Sequence, residues 1–354
     1  MREILRRHSF SIAFITLLFV FFFSRPGTED GLVQLSGLTM GTSYHLQYAN
    51  QESLPERVDV HRQVNALLNH LDKEVFSTYA PESELSRFNQ AEVGAAVKVS
   101  AELLEVARLA QEVSRASAGA FDITVAPLVN LWGFGPGVNA GNSVLPSDAA
   151  IADALASVGY EKLEINPAQS TLRKAAAVTI DMSAIAKGYA VDQLALLFER
   201  LGINNYFLEV GGEIRLRGMK PESQAWVPAI ERPVSGGATP SYRRLQVSGM
   251  PLSLAGSGDY RNYFEQDGQR YSHEIDPRSG RPINHSLAAV HVIDSSTARA
   301  DAWATAYMVL GFEAGRELAD KRAQAVYFIY RADSDFAEYA STAFAPYLAP
   351  EQEC

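Results

Sequence analysis

The sequence predicts an α+β fold, largely antiparallel sheet with packed helices, and three observations carry that prediction. Residues 206–210 and 213–217 read as two strands turning at Gly211-Gly212, and residues 260–265 and 270–275 as two more turning at Asp267-Gly268. Helical stretches lie between such hairpins without the repeated strand-helix-strand units that build a parallel sheet. No internal repeat and no linker interrupts the chain, so one compact domain, of one or two lobes, is the simplest organisation.

Taken in order, residues 31–48 alternate apolar and polar in the manner of a strand. Met40-Gly41-Thr42 interrupts the alternation and predicts a bulge or a ligand-facing turn. Val60, Val64, Leu67, Leu68 and Leu71, spaced by three and four, predict an amphipathic helix over 56–75 that ends before the polar stretch STYAPESELSRFN. Ser100 caps a second helix that turns Leu103, Leu104, Ala107, Ala110 and Val113 inward. Residues 130–147, rich in Gly, Pro and Asn, predict a long irregular loop. Residues 180–182 predict a strand end leading into a helix over 185–200. A small-residue helix over 298–310 stops at Gly311, and 324–330 closes the chain with one more strand.

At 354 residues, 47% hydrophobic and 20% charged, the chain can bury a sizeable core, which excludes a disordered polypeptide. A formal net charge of -10 argues against partners held by long-range attraction to phosphate, whether nucleic acid or anionic lipid. Arg2, Arg6 and Arg7 precede an uncharged apolar run over 9–23, the order of a secretory signal. That run is short of the roughly 20 residues that span a bilayer, yet SRPGTED beyond it offers no evident A-x-A cleavage site. Residues 1–25 are therefore expected to be a signal peptide or an N-terminal membrane anchor, with the body outside the cytoplasm. The sole cysteine is the last residue, Cys354, so no internal disulfide is available and stability must come from the core.

Four segments carry residues with chemical use. ARADAWATA sets Asp301 and Thr305 four apart, on one helical face, where a carboxylate and a hydroxyl both reach a hard cation such as Mg2+. The same spacing also fits an ordinary helical Asp beside a Thr bonded back to a carbonyl. DMSAIAKGYAVD places Asp181, Ser183 and Lys187 about a helix start, which suits a phosphate or a plain cap. SHEIDPRSGRPI gathers His273, Asp276, Arg278 and Arg281 around a Pro-Gly turn, either a polar-ligand site or a solvated surface. GAFDITVAPLVNLWGFG joins Phe121 and Asp122 to Trp132 and Phe134, which suits a flat heterocycle or a core aromatic pair.

In this order, MGTSYH, FSTY, ELSRFN, GAFDITVAPLVNLWGFG, IDMSAIAKGYAVD, LEVGGEIRLRG, SGDYRNYF, HEIDPRSGRPI and ADAWATA resemble the FAD:protein FMN transferase family, ApbE. The resemblance runs from about residue 33 to 345 and leaves 346–354 as a tail. It implies a two-lobed, T-fold-like catalytic domain holding FAD in a cleft. It also implies a Mg2+-dependent transferase that attaches FMN by a phosphoester bond to a Thr or Ser of an acceptor protein and releases AMP. The acceptors it implies are extracytoplasmic parts of respiratory, ion-pumping membrane complexes, which places the body at the periplasmic face of a bacterial inner membrane. Carried over by motif, Met40, Tyr79, Ala120, Phe121, Asp122, Asp181, Lys187 and Ile275 resemble FAD contacts. Asp301, Thr305 and the carbonyl of Ala184 resemble metal ligands, with Asp301 and His273 as catalytic residues, the histidine assisting proton transfer. Many members are lipoproteins, but no cysteine lies near residue 25, so a lipid anchor is not expected. The residues leave two alternatives open, an FAD pyrophosphatase giving FMN and AMP with the same metal, and a periplasmic protein that binds FAD without catalysis.

Overall fold

The computed structural model describes residues 31–135, 145–234, 241–260, 263–266, 268–333 and 335–350. The expected signal or anchor over 1–25, the middle of the glycine-rich loop, Asp267 of the second hairpin turn and Cys354 lie outside them.

Eight strands form a single antiparallel sheet whose spatial order is also the chain order. They are β1 (Leu32–Thr39), β2 (Thr42–Ala49), β3 (Tyr206–Val210), β4 (Glu213–Arg217), β5 (Leu252–Gly258), β6 (Leu287–Asp294), β7 (Ala325–Ala332) and β8 (Asp335–Ala340). The interruption at Met40-Gly41 is the turn of the β1–β2 hairpin, whose register runs from Leu32↔Ala49 to Thr39↔Thr42. Gly211-Gly212 turns β3 into β4 as predicted, with Tyr206 opposite Arg217.

Both faces of the sheet are covered, which explains the unbroken apolar run AVYFIY of β7. Val326 and Phe328 enter one core, with Leu46, Leu208, Val290 and the helices. Tyr327 and Ile329 point the other way, into a second core with Leu216, Trp226, Leu254 and Phe344. A third, smaller cluster gathers Leu128, Trp132, Ile151, Val158 and Ile275.

The helices are α1 (Arg57–Asn69), α2 (Glu84–Gln90), α3 (Ala101–Ala116), α4 (Ala126–Leu131), α5 (Asp148–Leu155), α6 (Ala186–Arg200), α7 (Thr297–Leu310) and α8 (Phe312–Arg322). Helix α1 continues in π-helical turns to Val75, so the predicted helix over 56–75 spans two helical types. The Ser100 hydroxyl accepts from the Leu103 N–H at 3.2 Å and caps α3. Gly311, at φ 78°, ends α7. Helix α7 packs on β5 and β6 and against α6.

Three expectations need correction. Residues 180–182 join no sheet. The Asn89 side chain stands where a neighbouring strand would, donating from Nδ2 to the Ile180 carbonyl at 2.8 Å and accepting the Ile180 N–H at 2.9 Å. The second hairpin is shorter than predicted, Tyr263–Gln266 with Gln269–Ser272, because Ile275–Asp276 pairs instead with Arg281–Pro282. The strand over 324–330 is not the last, since β8 follows it at the sheet edge.

Candidate functional site

The site is built where α6 begins. The first N–H groups of a helix lack intrahelical acceptors and carry partial positive charge. Here the Gly188 N–H donates to Oδ2 of Asp301 at 3.0 Å, so a carboxylate of α7 caps α6. The sequence suggested that Asp181 or Ser183 caps this helix. Asp181 Oδ1 instead accepts the Ser183 N–H at 2.7 Å, and no side chain of the preceding segment caps α6.

That contact depends on Gly188. A Cβ there would stand 2.4 Å from the Thr297 carbonyl oxygen and 2.8 Å from Ala298 Cα. Two backbones thus meet where α6 crosses the first residues of α7. Asp192 fastens the same crossing, accepting the Thr297 and Ala298 N–H groups at 2.9 and 3.0 Å.

Lys187 lies beside Asp301. Its ammonium donates to the Ser183 carbonyl at 3.2 Å, stands 3.5 Å from Glu213 Oε1 and 3.9 Å from Asp301 Oδ2. Burial pulls the Lys187 pKa down, but the charges of Asp301 and Glu213 outweigh it and hold the pKa above the ordinary lysine value. Burial raises all three nearby carboxyls, Asp301, Glu213 and Glu274, and lifts Glu213 to about 8. One turn along α7 from Asp301, Thr305 Oγ1 is 3.1 Å from Ser257 Oγ on β5.

This arrangement fits a cation. Asp301, Glu213 and Glu274 are 2, 3 and 8% exposed and Lys187 is the ammonium set among them, so three carboxyls can ionise against one fixed positive charge once a cation enters this poorly solvated place. Asp301, Thr305 and a main-chain carbonyl such as that of Ala184 are hard oxygen donors of the kind Mg2+ takes.

The buried carboxyls also predict a pH dependence. A carboxyl whose pKa is raised by folding holds more protons folded than unfolded. Its stabilising contribution is full below the unfolded pKa and lost as pH rises through the folded one. Without metal, the unfolding midpoint should therefore fall between about 4.5 and about 8, the Glu213 window. Saturating Mg2+ should flatten the fall at its upper end. Melting curves in chelator and in Mg2+ check this, and a midpoint that climbs through the window in chelator would contradict it.

Other sequence-selected segments converge on the same region. The Asp181 N–H donates to the Ile123 carbonyl at 2.7 Å, tying the Ala120-Phe121-Asp122 loop to the start of α6. Asp122 itself holds that loop together: its carboxylate accepts from the N–H and hydroxyl of Thr124 and from the Tyr160 N–H, all within 2.8 Å. Trp132 Nε1 donates to the Gly280 carbonyl at 2.8 Å, which joins the aromatic loop to the turn after His273. Ile275 is buried beside Trp132. Met40 occupies its turn at φ 48°, a left-handed conformation that costs a non-glycine residue about 1 kcal/mol or more. Two residues on, the Thr42 methyl and the Lys187 stem both lie against Gly211.

His273 is one-third exposed, with Nε2 3.8 Å from Glu274 Oε1 and the ring edge-on to Phe134 at 6.3 Å. Phe134, Phe264, Tyr271 and Trp132 continue as an aromatic array with neighbouring centroids 5.0–5.8 Å apart. Tyr79 is 75% exposed, and its N–H donates to Ser77 Oγ at 3.1 Å. The arginines of the Pro-Gly turn are engaged elsewhere, Arg278 with Asp276 and Arg281 with Asp148.

Sequence reasoning overlooked Glu213, Glu274 and Ser257 as members of this site. The available signal was Glu213 itself, an acidic residue opening a strand that the rest of the pattern buries.

A profile of the ApbE family matches residues 40–329. The chain belongs to the ApbE family. A FAD:protein FMN transferase of Vibrio cholerae serotype O1 is 41% identical over 341 residues, 96% of this chain and 98% of the relative. One from Haemophilus influenzae is 40% identical over 321 residues, 89% of this chain and 91% of the relative. Among solved structures, the flavin transferase ApbE of Vibrio cholerae superposes with a TM-score of 0.81 at 40% identity, over 90% of this chain and 99% of that one. Apo flavinyl transferase ApbE of Pseudomonas stutzeri gives 0.80 at 40% identity, over 88% and 95%. Membership in ApbE makes the protein an enzyme, a transferase, and the mixed α+β, antiparallel architecture is the ApbE fold.

Proposed function

We propose that this ApbE chain is a Mg2+-dependent FAD:protein FMN transferase acting on a Thr or Ser of another protein. The acceptor oxygen bonds to the FMN phosphorus as the bond from that phosphorus to the AMP oxygen breaks. The hydroxyl proton passes to His273, and AMP leaves with the bridging oxygen. The observation that carries this reading is the meeting of a buried carboxylate, an ammonium and a helix N-terminus at Asp301, Lys187 and Gly188. It occurs in a chain matched nearly end to end by transferases that carry that name.

Phosphoryl transfer asks an enzyme chiefly for position and charge. Lys187 and the N-terminal turn of α6 orient and draw in the pyrophosphate. Magnesium, held by Asp301, Thr305 and the Ala184 carbonyl, would neutralise charge on the pyrophosphate and the departing AMP. The His273 imidazole, one-third exposed beside Phe134, offers a ring nitrogen to take the proton. Met40, Tyr79, Ala120, Phe121, Asp122, Asp181 and Ile275 complete the FAD-binding set, the aromatic loop offering surface to the flavin ring.

We assign residues 33–345 to the transferase domain and place it on the periplasmic side, carried there by residues 1–25. Among the described residues no helix is long and apolar enough to cross a membrane. The acceptor is a protein presenting a flexible Thr- or Ser-bearing segment, most simply an extracytoplasmic part of a respiratory complex.

The test is to incubate the protein with FAD, Mg2+ and an acceptor domain bearing such a Thr, weigh the acceptor and assay AMP. The acceptor should gain the mass of FMN less one water, and chelator should prevent the gain. Free FMN with AMP and no gain would mean that water is the acceptor. Bound FAD with neither product would reduce the protein to a flavin binder.

A further inference from the structure

We propose that Glu213 is a positioning residue that holds the Lys187 ammonium off Asp301 and so keeps Asp301 open to a cation. The proposal rests on the magnesium reading above and adds a residue that reading does not use.

Strand β4 and helix α6 face each other through three ion pairs. Alternation places Glu213, Arg215 and Arg217 on one face of the strand. Lys187 stands 3.5 Å from Glu213, Asp192 2.7 Å from Arg215 and Glu199 2.9 Å from Arg217. The lower two rungs fix the helix along the strand, and the top rung falls at the site. Asp192 also caps α7 through the Thr297 and Ala298 N–H groups. Register on the strand thereby fixes the register of Asp301 as well.

An ammonium has three donors. Ser183 takes one, Glu213 lies nearest the second, and Asp301 at 3.9 Å lies beyond hydrogen-bond reach. With Glu213 gone, Asp301 is the nearest remaining carboxylate, and closing less than 1 Å would pair it with Lys187.

The close approach of Glu213 and Lys187 depends on Gly211, where φ is 63° and a Cβ would lie 3.1 Å from Lys187 Cδ and 3.3 Å from Glu213 Oε2. That oxygen is buried without a hydrogen-bond partner among the described residues. A buried carboxyl left half-satisfied is costly, and such a cost retained in a site points to use rather than to stability.

The test is a double-mutant cycle on Mn2+ affinity, read by electron paramagnetic resonance at saturating FAD, with Mn2+ as the spectroscopic stand-in for Mg2+. E213A should weaken Mn2+ binding by about tenfold, the scale of lost supporting contacts at metal sites, and E213Q, which keeps an oxygen for the ammonium, should recover most of the loss. On a K187M background, E213A should change nothing, because no ammonium remains to occupy Asp301. Equal weakening in both backgrounds would overturn the proposal and make Glu213 act on the cation directly. Unchanged affinity in E213A alone would also overturn it. Absence of Mn2+ binding by the unmodified protein would instead remove the magnesium reading and the proposal with it.

Discussion

Asp301→Asn is expected to lower FMN transfer by at least about a hundredfold while leaving most FAD binding intact. The change preserves shape and leaves an oxygen to accept the Gly188 N–H, now at 3.0 Å from Oδ2, so α6 keeps its cap. What it removes is charge at the point proposed to hold the cation. Loss of a single preorganised donor to a developing charge costs about 10²–10³ in turnover, and a charged ligand to a phosphoryl-transfer cation is worth no less. Asp301→Ala should be as inactive and also less stable, because the Gly188 N–H and the Lys187 ammonium then lose a buried acceptor and counter-charge. Single-turnover transfer and FAD titration on the same samples separate catalysis from binding. Wild-type turnover in the Asn variant would remove Asp301 from the metal site.

The second large effect is structural. Gly188→Ala adds one methyl group, but the atoms it meets belong to the backbone of Thr297 and Ala298, at 2.4–2.8 Å. Backbone cannot rotate away as a side-chain tip does, so α6 and α7 must separate. Overpacking of this kind costs about 1–3 kcal/mol and occasionally more. The separation also lengthens the Gly188–Asp301 hydrogen bond, so transfer should fall with stability. Thermal unfolding should show a midpoint lowered by several degrees, about 2–4 °C per kcal/mol in a protein of this size or somewhat smaller. An unchanged midpoint would mean that the helices do not pack backbone to backbone.

Much of this was written in local sequence. Gly211-Gly212, Ser100 and Gly311 each act within a few residues of their own position, and each falls where the turn or cap rules put it. Leu287–Asp294 escaped notice because a strand buried on both faces shows an apolar run in place of alternation. Ile180 misled for a different reason: its backbone bonds are strand-like, but the partner is the Asn89 amide, ninety-one residues away in sequence.

The site follows the same division. Asp301, Thr305, Asp181 and Lys187 could be selected because the residue types and spacings carry chemistry on their own. The Gly188–Asp301 cap and the Glu213–Lys187 pair could not, since each joins elements whose meeting depends on the whole sheet. Their residues look ordinary until the fold supplies the partner.

Sheet order that equals chain order has a consequence for how the protein comes to exist. Strands β1 and β2 form a local hairpin early in synthesis, but β2 pairs next with β3, across residues 50–205. Closing so long a loop costs little more at equilibrium than closing a shorter one, about 0.6 kcal/mol per doubling. In time it costs far more, because pairing of distant segments sets the pace of folding. Until β3 arrives, the β2 edge presents unpaired backbone groups to any passing strand. On the proposed export route, amino end first, that edge would stay open until residue 206 follows, so early aggregation at β2 is a hazard built into the strand order.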